Sequence, residues 1–211
     1  MPIRPVEVQQ TGGAYEVVHR TLSSRASASA FSLPRLSRAD PGRLVIAMPH
    51  RVECLALGDI RRRKIPKKEK ADCWRFLVLE EREPIAAATA IRVEPKKDRK
   101  KEPKKEQPKK EPKEFEFGGL DEGPFVKGTE EAILRAEALL EGRKGEFEAV
   151  LLLVPARYVV ALWLQDLSTR AADGHSGEAD LLIPISPSNP ALEPGEAMTP
   201  ASFVEALRRV R

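Results

Sequence analysis

An α+β fold, with a mixed or antiparallel sheet and two amphipathic helices packed on it, is what this sequence predicts. Three observations carry that expectation. Residues 149–166, AVLLLVPARYVVALWLQD, are the most apolar stretch of a heavily charged chain, and in their second run both alternating sets of side chains are apolar. A strand covered on one face alternates apolar with polar, whereas a strand covered on both faces does not. Residues 129–142 and 199–210 instead space their apolar side chains as helices do. Residues 94–114 repeat Lys, Glu and Pro without one aliphatic or aromatic side chain, and so interrupt whatever the flanks build.

The central stretch reads as two strands joined by Pro155-Ala156-Arg157. A membrane span needs roughly 20 apolar residues, and this run is shorter, with a proline and an arginine near its middle. One long buried helix is disfavoured because Pro155 removes a backbone donor and because Val, Tyr and Trp favour strands.

From the start, residues 1–13 read as poorly ordered and end in a Gly12-Gly13 turn. Residues 14–22, AYEVVHRTL, have strand character, and the small, polar residues 23–32 read as a loop. Asp40-Pro41-Gly42 is a turn leading into residues 43–48 and 51–57, two short strands or one bent strand closed by Gly58-Asp59. Residues 72–80 form a strand with Trp74, Phe76 and Val78 on one side and Leu77 and Leu79 on the other. A turn at 81–84 returns the chain along 85–93, where the alanines weaken the strand signal. This hairpin and the central one both read as strand, Pro-bearing turn, strand, which suggests that they share a sheet.

Residues 94–114 bury too little apolar surface to offset their ordering entropy and are expected to be disordered. The chain thus divides into an N-terminal β-rich part over 1–93, a charged insertion or linker over 94–114, and an α/β part over 115–211 that completes the same domain. Phe115 and Phe117 restart the fold, and Gly118-Gly119 and Gly123-Pro124 mark loops. Thr129 is expected to cap a helix over 130–141, with Gly142 after its end. Residues 168–179 are a polar loop, and 181–185 an edge strand because Pro184 lacks a ladder donor. A Pro-rich coil leads to Thr199 and Pro200 as N-cap and first residue of a last helix, whose Phe203, Val204, Leu207 and Val210 dock on the sheet.

The net charge of +4 conceals a split. Acidic residues outnumber basic ones over 120–211, whereas residues 61–70 set Arg61, Arg62, Arg63, Lys64, Lys67, Lys68 and Lys70 against the single Glu69. Local charge of this kind governs binding more than the net value. Pro66 and like-charge repulsion argue for an exposed loop, and its cations can neutralise phosphates and release counterions without reading sequence.

Other chemistry finds little support. The glycines match neither a Walker nor a Rossmann phosphate loop, and the two cysteines, Cys54 and Cys73, make neither a disulfide framework nor a zinc signature. They read as buried small hydrophobes and His50 as a surface histidine; His50 with Cys54, or His19 with Cys73, is the only base–nucleophile pairing to consider, and no signature surrounds either. No cofactor is expected, and catalysis ranks below binding. The polar start, without an apolar leader, points to the cytoplasm. The expected function is a non-catalytic adaptor module acting through contacts with a protein partner; the alternative is a non-specific nucleic-acid-binding protein using residues 61–70. No membrane association is expected.

Overall fold

The computed structural model describes residues 3, 8–65, 71–93, 114–143, 145–168 and 176–209. Seven strands form one sheet: β1 (Leu44–Cys54), β2 (Cys73–Glu80), β3 (Glu83–Arg92), β4 (Phe115–Asp121), β5 (Phe147–Val154), β6 (Val159–Asp166) and β7 (Leu181–Pro184). Their order is β4-β3-β2-β1-β5-β6-β7, antiparallel throughout except where β1 runs parallel to β5. The α+β expectation with a mixed sheet holds, but four helices accompany the sheet among the described residues: α1 (Ala14–Ser27), α2 (Leu57–Arg62), α3 (Pro124–Leu140) and α4 (Pro200–Arg209). Both hairpins, β2–β3 and β5–β6, lie in that sheet, with β1 between them.

Each face of the sheet has its own cover. Trp74, Phe76, Val78, Ala86, Ala88 and Ala90 pack under Ala14, Val18 and Leu22 of α1. Further along the same face, Val150, Leu152, Ala161 and Trp163 meet Phe203, Val204 and Leu207 of α4. On the opposite face Leu151, Leu162, Leu164 and Ile183 lie against Ala132, Ala136 and Leu140 of α3. Each large side chain so buried contributes about 1.5–3 kcal/mol. The alanines of β3 acquire a reason here. Ala86 and Ala88 face α1 while Ala87 faces Val126 of α3, so small side chains let two helices approach one strand from both sides.

Several expectations need correction. Residues 14–22 are helical. Ala14, Val18 and Leu22 are buried at i, i+4, i+8 spacing, and this face outweighs the strand preference of Tyr15, Val17, Val18 and Thr21. The helix continues through the first half of the supposed serine loop, to Ser27. Residues 44–54 take the bent-strand alternative of the two expected, one strand irregular between Ala47 and His50, where Met48 adopts a left-handed φ of 49°. Gly118 and Gly119 are strand residues of β4, and Gly118 lies where a Cβ would meet Ile91 at 2.8 Å. Helix α3 begins at Pro124, and Thr129 is buried within it, its hydroxyl donating to the Phe125 carbonyl at 2.7 Å. Gly58-Asp59 does not close a strand but belongs to α2.

The Pro-Ala-Arg connection, β7 at the sheet edge, and α4 with Thr199 accepting from the Ser202 amide at 3.2 Å all stand as expected. Residues 94–113, most of 1–7 and Val210 lie outside the described residues. The two ends around 94–113 nevertheless meet: Arg92 pairs with Phe115, and the Val93 amide donates to the Glu114 carbonyl at 2.9 Å. No described helix is long and apolar enough to cross a membrane.

Candidate nucleic-acid interface

The basic segment is partly a built element. Leu55 continues past β1 and donates to the Leu153 carbonyl at 2.8 Å, which sets α2 beside the end of β5. Asp59 in the first turn and Arg61 and Arg62 in the last complement the helix dipole. The helix stops at Arg63, in left-handed conformation at φ 57°. There the Arg63 amide donates to the Ile60 carbonyl and the Lys64 amide to the Asp59 carbonyl, the paired closure of a Schellman turn.

Two apolar residues orient the charges. Ile60 and Ile65 are buried with Leu55, Val154, Val159, Phe203, Val204 and Leu207. Pinned on both sides, Arg61, Arg62, Arg63 and Lys64 stay exposed. The expectation of a simple exposed loop is therefore corrected for this part, because Ile60 and Ile65 bury instead of joining the solvated stretch. Lys67, Lys68 and Lys70 lie outside the described residues.

The fold adds cations that linear reading missed. Helix α4 packs beside α2, and its last turn carries exposed Arg208 and Arg209. Glu205 lies between them, 3.8 Å from Arg63, 3.1 Å from Arg208 and 3.9 Å from Arg209. One carboxylate thus serves three guanidiniums, and the surface remains cationic. Tyr158 is a second feature not anticipated as a surface group. It caps the turn between β5 and β6, whose flanks Val154 and Val159 belong to the same cluster as Ile60; its side chain is 89% exposed and its φ is 52°. A bulky residue is uncommon in that conformation.

The two imagined base–nucleophile pairs are not assembled. His50 and Cys54 share a strand four positions apart, which at about 3.3 Å per residue separates them by roughly 13 Å. His19 is on α1, stacked on Tyr15 with ring centroids 5.8 Å apart, whereas Cys73 packs with the cluster under α3 on the opposite face. The expected burial pattern is also reversed: His50 is buried, Cys54 exposed and Cys73 half-buried. The His50 Nδ1–H donates to the Met48 carbonyl at 2.7 Å, since a carbonyl can only accept. Burial, together with Arg75 opposite, pushes the imidazole down to about 4 despite that hydrogen bond, so the ring is neutral near pH 7. Arg75 in turn makes a bidentate pair with Asp121 at 2.7 and 2.8 Å.

A further ionic cluster lies across the sheet centre on the face shared by α1 and α4. Arg51 of β1 contacts Glu148 of β5 at 2.7 Å, Gln165 of β6 at 3.2 Å and Glu53 at 3.7 Å. These side chains are largely buried, so their place is structural. Among the described residues, no group of three or more His, Cys, Asp or Glu side chains is disposed to hold a metal ion. No family model, curated protein or solved structure matches the chain.

Proposed function

We propose that this protein binds nucleic acid without sequence preference through the exposed face of α2 and the end of α4. The observation that carries the reading is the burial of Ile60 and Ile65, which fixes Arg61, Arg62, Arg63 and Lys64 outward beside Arg208 and Arg209. Cations held in this way meet phosphates at a reduced entropic cost, and binding releases condensed counterions. Tyr158, exposed near the same cluster, offers a ring on which an unpaired base can stack. Two free cysteines accord with a cytoplasmic setting, where nucleic acid is met and thiols stay reduced.

The test is fluorescence anisotropy of labelled single-stranded and duplex oligonucleotides across a salt series. Binding should weaken steeply with salt, with a slope of about −0.9 per phosphate contacted on duplex. Replacing Arg61, Arg62, Arg63 and Lys64 together by alanine should abolish it, and replacing Arg208 and Arg209 should flatten the slope. Circular dichroism should show both variants folded. An absence of binding at low salt overturns the reading and returns the chain to the protein-contact class.

A further inference from the structure

We infer that Cys54 and Cys73 are a paired site of reversible oxidation, forming an intramolecular disulfide with small disulfide oxidants of the glutathione type. Three observations carry this. The first is register. Strands β1 and β2 last pair at Arg51 and Trp74; continued one step, that register sets Val52 against Cys73 and places Cys54 diagonal to Cys73 on the same face. Val52 and Cys73 indeed pack in one cluster. Diagonal neighbours stand about 7–8 Å apart, and a bridge needs Cα atoms within about 6.8 Å. The closure required is therefore at least about an ångström, the two strands being free to approach beyond their last pair.

The second observation is where that closure falls. Cys54 is the last residue of β1 and Cys73 the first of β2, so both lie beyond the last β1–β2 pair, Arg51 with Trp74, while each keeps its outer neighbour, Cys54 beside Leu153 of β5 and Cys73 beside Ile91 of β3. The third is access. Cys54 is exposed and Cys73 half-buried, which gives one thiol for attack and one to resolve. Burial, then the neighbouring Cys54 and Asp72, hold the Cys73 thiol up at about 11 against the opposing pull of Arg75, so resolution is the slow step and quickens with pH.

The chemistry balances. The Cys54 thiolate attacks one sulfur of the small disulfide and expels one small thiolate. The Cys73 thiol then gives up its proton to water or buffer base. Its sulfur attacks Cys54 and expels the second small thiolate. Two protein thiols are oxidised and one small disulfide is reduced to two thiols.

The bridge would close the connection holding α2 and Arg61–Lys64, all of which lies between the two cysteines. Any effect on nucleic-acid affinity rests on the reading above; formation of the bridge does not.

The experiment treats the full-length protein with oxidised glutathione at pH 7 and pH 9, followed by alkylation and intact mass measurement. Expected is a monomer lacking two hydrogens, formed faster at pH 9, with a melting temperature above that of the reduced protein. Trypsin cleavage within residues 61–70 should leave two fragments joined until reductant is added. Cys73→Ser should stop at a lasting glutathione adduct on Cys54. A lasting adduct on the unmutated protein, disulfide-linked dimers alone, or no reaction at pH 9 would each overturn the pair. Oligonucleotide binding by reduced and bridged protein then separates the two proposals: loss of binding in both forms, with the bridge intact, defeats only the nucleic-acid reading.

Discussion

Two clusters of arginine and glutamate in this protein use the same chemistry to opposite ends. Around Arg51 the charges lie within the sheet, its side chain 11% exposed and that of Glu53 only 5%. Around Glu205 they lie in solvent, with Arg63 67% and Arg209 76% exposed. Water screens the second set, so each contact is worth little and the arginines remain available to a partner. The first set was desolvated on folding, and each member now depends on the others. Exposure, more than residue type, separates a structural ion pair from a binding surface.

The comparison is broken most forcefully at Arg51. Arg51→Ala removes the cation that lies 2.7 Å from Glu148 and 3.7 Å from Glu53, and urea unfolding should show a loss of about 3–5 kcal/mol. A loss below 1 kcal/mol would mean that water reaches the cluster.

His50 tests the buried side through pH. Its folded value lies below its unfolded one, so below pH 6.5 the unfolded chain takes up a proton that the folded chain refuses. Its contribution is therefore complete above pH 6.5 and is lost as pH falls towards 4. The loss is on the order of 3 kcal/mol. His50→Asn should flatten that acid limb relative to the unmutated protein, and parallel limbs would refute the assignment.

Gly128 probes packing without charge. A Cβ there would stand 2.6 Å from the Ser186 carbonyl oxygen and 2.7 Å from Ile185. Gly128→Ala should displace α3 and cost about 1–3 kcal/mol, visible in thermal unfolding. The smallest change in stability belongs to the exposed cluster. Glu205→Gln should alter it by no more than about 0.5 kcal/mol, yet raise low-salt oligonucleotide affinity about threefold by removing an anion from the cationic face. A larger stability loss there would erase the contrast.

What could be read in advance follows from how far each signal travels along the chain. The hairpins β2–β3 and β5–β6 and helix α4 were legible because short apolar runs, turn residues and an N-cap act over a few positions. Helix α1 was misread because a dense set of β-branched and aromatic residues hid the spacing of Ala14, Val18 and Leu22. The ionic cluster around Arg51 had no local signal, since Glu148 and Gln165 are 97 and 114 residues from Arg51. At the candidate interface, Arg61–Lys64 were evident from composition. Arg208 and Arg209 joined them only through the packing of α4 beside α2, a contact with no local signature.

The meeting of Arg92 and Phe115 bears on how this chain can vary. The β3–β4 ladder already holds together the two ends of this connection, so flexible residues added between them would change stability mainly through the entropy of closing it. That cost grows with the logarithm of length, about 0.6 kcal/mol for each doubling. Lengthening or shortening a flexible connection between Val93 and Glu114 would therefore register weakly in the sheet.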